Sequence, residues 1–298
     1  MKRTDTGRGR LPVAALILIM LAGICIILYP IVSNILYEKD KSLISTEYDR
    51  TVEELGEGDI SDLLEAAQKY NDSLLKANIV LTDPFDPTIL EKQGSAPYLS
   101  LLNYADGGIM GYLDIPVIEV NLPIYHGTNS ATLEKGIGHL EQTSLPIGGE
   151  STHSVLTGHT GLAGKRMLTD LTEMEEGDIF YIHMMNDILA YEVTDIAIAS
   201  PRDTDLLRIS KGEDMVTIVT CYPYGVNSHR LLVTGVRTEY EDAVAQEETK
   251  DRATKSVWKE EYEKAIVLCI AIYVHIVIVG VLLIRRRRNR NNNNISEQ

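Results

Sequence analysis

Two stretches without a single Asp, Glu, Lys or Arg, Leu11 to Tyr29 (LPVAALILIMLAGICIILY) and Ala265 to Ile284 (AIVLCIAIYVHIVIVGVLLI), bound whatever else this chain can form. Each is long enough to cross roughly 30 Å of hydrocarbon as a helix. Neither belongs in the core of a water-soluble domain. A cleaved leader is the competing reading of the first, but its apolar run exceeds the usual leader core and no clean small-x-small site follows. MKRTDTGRGR precedes the first stretch and RRRRNR follows the second. An excess of basic residues on the cytoplasmic side predicts that both ends lie in the cytoplasm and that Ile35 to Lys264 lies outside.

The expected division is a cytoplasmic tail (1–10), a membrane anchor (11–34), a helical segment with a loop (35–108) and a β domain (109–245). A juxtamembrane linker (246–264), a second transmembrane helix (265–284) and a basic, Asn-rich tail (285–298), read as disordered, complete it. The formal charge is −15, and the two tails carry +3 and +4, so the middle carries −22. Such a domain stays soluble and repels polyanions, which excludes nucleic acid as a partner.

Cys25 and Cys269 fall within the two apolar stretches, which leaves Cys221 as the sole cysteine between them. Outside a membrane, structural cysteines come in disulfide pairs. An unpaired one is a buried small hydrophobe, a bridge to another chain, or a working thiol, and its neighbourhood must decide. In the first section Ile60, Leu63, Leu64, Ala67, Asn71 and Leu74 recur at helical spacing after Gly56 and Gly58, with Asp59 or Ser61 as the expected cap. From Asn78 to Gly108 the chain is proline-punctuated and aperiodic, and reads as a loop. From Tyr112 the texture is β: short runs rich in Val, Ile, Thr and Tyr, separated by Gly, Pro, Asn and Asp. A closed barrel or a sandwich is expected, with a short helix near Met167 to Met174.

Cys221 ends the run MVTIVTC and Arg230 opens the run RLLVTG, so the two bracket the loop YPYGVNSH and can face each other across neighbouring strands. A thiol at a strand end beside an arginine is in the electropositive, accessible setting of reactive cysteines. Such a nucleophile needs a partner to move protons. Seven histidines are present, and His275 falls within the second apolar stretch. His159, in VLTGHTGLAG, suits a side chain presented at a barrel rim; His126 and His153 suit packing or loops, and His229 points to the face opposite Arg230. No histidine, cysteine or carboxylate pair has HExxH or CxxC spacing, so neither a metal nor a cofactor is expected.

TIVTC at Thr217 to Cys221, with YPYGVNSHRLLVTG after it and HLEQTSLPIGGESTHSVLTGHTGL before it, resembles the cysteine, arginine and histidine segments of sortases. Anchors at both ends and the segment LTDPFDP resemble class C, the pilin-polymerising sortases. The resemblance implies an eight-stranded barrel with short flanking helices. It also implies Cys221 as nucleophile, His159 as general acid and base, Arg230 as the oxyanion and substrate-positioning group, and Thr220 as a substrate-positioning residue. Asp83, Pro84 and Phe85 become a lid, Asp83 pairing with Arg230 and Phe85 covering Cys221; the bare residues say only that Asp-Pro starts a turn. The implied reaction is cleavage of an LPxTG-like signal at Thr–Gly and transfer to an amine, a pilin lysine in that class. Two departures are small: Ile218 within TIVTC is an apolar exchange, and HTGLAG, which begins with the histidine, leaves the chemistry alone but bears on substrate contacts. Wall anchoring rather than pilus assembly, an L,D-transpeptidase, and a tethered binding domain remain as alternatives.

Overall fold

The structure, a computed structural model, describes residues 10–77, 79–104, 107–162, 164–249 and 256–296. Positions 1–9 of the expected tail and 250–255 of the expected linker lie outside the described residues. The chain divides into two compact units, Met1–Asn34 with Lys259–Gln298, and Ile35–Trp258.

The first unit holds the apolar parts of two helices, α1 (Arg10–Glu54) and a C-terminal helix (Val257–Ser296). Both are long and apolar enough to cross a membrane, with windows of mean hydropathy 2.3 and 3.0. Within this unit the Tyr262 hydroxyl donates to the Ile27 carbonyl at 2.7 Å. The Asn-rich end, expected to be disordered, continues its helix to Ser296.

In the second unit, residues 35–54 of α1 lead into α2 (Glu57–Leu74). The break falls at Leu55 and Gly56, but Gly58 lies inside α2. Neither Asp59 nor Ser61 caps it: Gly56 occupies that position with extended backbone, and Glu57 and Asp59 sit in the first turn, where their charge meets the positive end of the helix dipole. The aperiodic stretch holds two single-turn helices, α3 (Pro87–Leu90) and α4 (Ala96–Leu99), each with proline in its first turn, where the missing N–H costs nothing.

Eight strands follow: β1 (Ile109–Ile115), β2 (Val120–His126), β3 (Ile137–His139), β4 (Thr152–Thr157), β5 (Ile179–Met184), β6 (Asp187–Ala199), β7 (Asp214–Tyr222) and β8 (His229–Thr238). They close into a barrel, as expected, and its strand order is β1-β2-β3-β4-β7-β8-β6-β5. Pairing is antiparallel except for β2 with β3 and β4 with β7. Helix α5 (Ser130–Leu133) joins β2 to β3, and α6 (Tyr240–Thr249) follows β8. The helix expected near Met167 to Met174 is a 3-10 turn, Thr169–Glu173.

Alternation along the strands sorts the side chains by face. Leu156, Phe180, Tyr191, Ile218 and Val233 belong to one continuous buried cluster that fills the barrel. Gly235 is required there, since a Cβ at that position would stand 2.5 Å from the Phe180 ring. Val155, Val219 and Leu232, one residue along from inward neighbours, form a second cluster on the outer face with Phe85, Leu133, Leu140 and Leu207, and Cys221 packs against it. The thiol therefore stands outside the barrel, on a wall covered by the segment before α3.

Candidate active site

Cys221 and Arg230 are direct partners in the β7–β8 ladder, and Tyr222 pairs with His229. The connecting loop is thus shorter than the eight residues read from the sequence. Directly opposed side chains in an antiparallel pair stand about 5 Å apart at Cβ, so one hairpin fixes thiol and guanidinium together. His229 points away and is exposed, as expected.

Arg230 is buried to 9% exposure and every edge of its guanidinium is used. Nε and Nη2 donate to the two carboxylate oxygens of Asp83 at 2.8 and 2.6 Å, while Nη1 donates to the Asn227 and His229 carbonyls at 3.1 and 2.9 Å. Such a bidentate fork is among the stronger polar contacts a protein makes. Asp83, Pro84 and Phe85 are all buried. The Asp86 N–H donates to the Asp83 carbonyl at 2.9 Å, closing a turn with Pro84 second, the position its fixed φ favours. That turn aims Phe85 at the site: its ring lies 5.0 Å from the Arg230 guanidinium carbon and 5.8 Å from the His159 ring.

His159 follows β4 by two residues. Its strand end is fixed to β7, since the Gly158 N–H donates to the Val219 carbonyl at 3.1 Å and the Thr220 hydroxyl donates to the Gly158 carbonyl at 2.8 Å. The buried Thr220 side chain is thereby engaged with the histidine segment. Across the loop, Gly161 has φ +73° and Tyr224 packs where a Cβ would sit, 3.2 Å away. The other barrel histidines are committed to structure. His126 meets the Leu101 and Gly108 carbonyls, His139 meets Tyr98 and the Ser144 carbonyl, His153 meets the Arg208 carbonyl and Thr217, and His183 stacks on Tyr112. Among the described residues, His159 makes no side-chain hydrogen bond. The sequence had given no ground for setting His139 or His183 aside; burial does.

Burial pushes the Cys221 thiol above its ordinary pKa; Arg230 pulls it down and Asp83 pushes it up. Burial likewise lowers His159, with Glu134 raising and Lys165 lowering it. With the segment closed, a protonated thiol and a neutral imidazole are favoured at neutral pH. Burial works against the Arg230 charge, yet Asp83 and Cys221 raise its pKa overall. Sequence reasoning missed Glu134, Lys165, and the Asn227 and His229 carbonyls. The first two are brought to His159 only by the fold, and backbone groups leave no mark in the sequence. No group of three or more His, Cys, Asp or Glu able to hold a metal occurs among the described residues.

The sequence pattern of the sortase domain matches residues 113–238. Sortase D of Bacillus subtilis is 31% identical over 134 residues, 44% of this chain and 65% of that protein; sortase A of Streptococcus agalactiae is 27% identical over 38% and 47%. The chain thus spans about half to two thirds of the length of these relatives. Three solved structures are covered almost completely. Sortase C-1 of Streptococcus pneumoniae is 42% identical with a TM-score of 0.62, over 66% of this chain and 99% of that one. Sortase C-1 of Actinomyces oris is 45% identical with a TM-score of 0.57, over 61% and 99%, and the pilus-related sortase C of Group B Streptococcus is 38% identical with a TM-score of 0.61, over 66% and 98%. With its barrel, its strand-end cysteine and near-complete coverage of these structures, the chain belongs to the sortase family, alongside the sortase C enzymes.

Proposed function

We propose that this sortase is a membrane-anchored cysteine transpeptidase that cleaves an LPxTG-like sorting signal between Thr and Gly and passes the acyl group to an amine, a lysine of a pilin subunit. The observation that carries the reading is the convergence of Cys221, Arg230 and His159 on one outer wall of the barrel, with Asp83 and Phe85 occupying the same place. Likeness to the pilus-related sortase C supports the choice of a pilin substrate.

In the reaction, once the segment 81–86 has left, the Cys221 thiol passes its proton to His159 and the resulting thiolate adds to the threonine carbonyl carbon. Arg230 donates to the oxygen as it gains negative charge, a role whose loss costs about 10²- to 10³-fold in rate. The C–N bond breaks as protonated His159 supplies the proton the glycine amine needs, leaving a thioester on Cys221. The acceptor amine then gives its proton to His159 as it attacks, and the thiolate leaves. Since Asp83 holds two Arg230 donors, the segment 81–86 acts as a lid that must leave before substrate binds. Both apolar helices serve as membrane spans with the barrel outside, which holds the enzyme where tethered substrates emerge and raises their effective concentration.

The test is incubation of the full chain in detergent with an LPxTG peptide and an amine. Cleavage between Thr and Gly with a trappable thioester is expected, and Cys221→Ala should abolish both; an Asp83→Ala chain run alongside removes the lid. Failure of that open chain to cleave would overturn the reading.

A further inference from the structure

The loop carrying His159 leaves β4 at Gly158 and closes where the Leu168 N–H donates to the His159 carbonyl at 3.1 Å. Between them lie Gly161 and Gly164, at φ +73° and +76°. Two glycines in the left-handed region let this limb turn tightly, and it is also fastened from outside. Its return limb carries that fastening. Lys165 sets its ammonium 5.0 Å from the centre of the Tyr37 ring, and the Tyr37 hydroxyl donates to Met167 Sδ at 2.6 Å. The Lys135 carbonyl, 3.2 Å away, shares that single hydroxyl proton, and Lys165 Nζ donates to the Glu134 carbonyl at 2.5 Å. Lys41, one turn along α1, lies 4.8 Å from the same ring. One phenol thus joins α1, the His159 loop and the turn between α5 and β3, across 130 residues of sequence.

We propose that Tyr37 is a positioning residue for the sortase reaction: by holding Lys165 and Met167 it fixes where the His159 imidazole stands relative to Cys221. The inference rests on the reading of His159 as the proton-transfer group. Tyr37 lies outside the matched sortase domain and touches no reacting atom, so its effect passes through the loop. Small displacements matter there, since about 1 Å of misplacement can cost roughly 10²-fold in rate. Groups facing His159 are Lys165 from its own loop, Glu134 from the turn after α5, and the Phe85 ring from the lid, beyond which lie Arg230 and Asp83.

The experiment compares Tyr37→Phe, Tyr37→Leu and Lys165→Met in the full chain in detergent, with His159→Ala in parallel. The Leu variant, lacking ring and hydroxyl, should lose roughly tenfold or more in kcat with little change in KM, while the Phe variant, which keeps the ring under Lys165 but loses the hydroxyl contacts to Met167 and Lys135, should lose less. Since Lys165 lowers the imidazole pKa, Lys165→Met and Tyr37→Leu should both raise the His159 titration midpoint, read by NMR on labelled histidine. Wild-type kcat and an unmoved midpoint in the Leu variant, or equal losses in the Phe and Leu variants, would overturn the proposal. An active His159→Ala chain would instead remove the catalytic reading on which it rests.

Discussion

Asp83 acts on two groups at once: it ties up the donors of Arg230 and adds a negative charge that raises the Cys221 pKa. Replacing it with alanine removes that charge, frees the Arg230 field to favour thiolate, and loosens the cover that desolvates both Cys221 and His159. The two pKa values should then converge, the thiol falling and the imidazole rising. Alkylation of Cys221 as a function of pH measures this: in Asp83→Ala the midpoint should move to lower pH, and each unit of fall multiplies the thiolate fraction at neutral pH about tenfold. An unchanged midpoint and rate would show that the segment is no lid. The Cys221 and Arg230 pairing was readable in the sequence because only one hairpin separates them. Their partnership with Asp83, 147 residues from Arg230, was suggested only by resemblance, since nothing local links them.

At the scale of elements, the stretch from Leu81 to Ser95 is held along its length as well as at Asp83. Thr204 donates to the Leu81 carbonyl at 3.2 Å, Ser130 to the Leu90 carbonyl at 3.3 Å, and Ser95 to Glu141. These contacts to three separate parts of the barrel explain why an aperiodic, proline-rich stretch is ordered: its shape comes from the surface it lies on. Helix α6 is docked differently. Ala243 packs against Ile179, Tyr181 and Ala190, the Tyr181 hydroxyl donates to Glu247 at 2.8 Å, and Asp114 lies opposite Tyr181 in the sheet. Burial, then the Glu247 charge, push Asp114 up to about 6. Raised above its unfolded value, this carboxyl binds more protons in the folded chain, so stability falls as pH rises from about 4 through about 6. Asp114→Asn should leave unfolding unchanged near pH 3.5 and stabilise the protein at pH 7 by on the order of 1–2 kcal/mol, after solvent screening is allowed for. Thermal melts at the two pH values test it; equal shifts at both would refute the linkage.

For the whole molecule, the proposed topology puts Cys221 outside the membrane and Cys25 and Cys269 within it. A membrane-impermeant maleimide applied to intact cells making the Asp83→Ala chain should therefore label at Cys221 and be lost in Cys221→Ala. Label persisting in that double variant, or none without lysis, would reverse the topology.

By itself the sequence determined the two apolar spans, the β character of the domain between them and the singular position of Cys221, because hydropathy, alternation and cysteine count are properties of short windows. It also paired Cys221 with Arg230, and its resemblance to sortases singled out His159. Only the tertiary structure decided that the barrel closes, that the thiol stands on its outer wall, and that His126, His139, His153 and His183 are held in structural contacts. It shows the Asp83–Arg230 contact that the resemblance had implied, and it alone brought Tyr37 to the His159 loop. These are contacts between residues far apart in the chain, fixed by the register and closure of eight strands, and no window of sequence contains both partners.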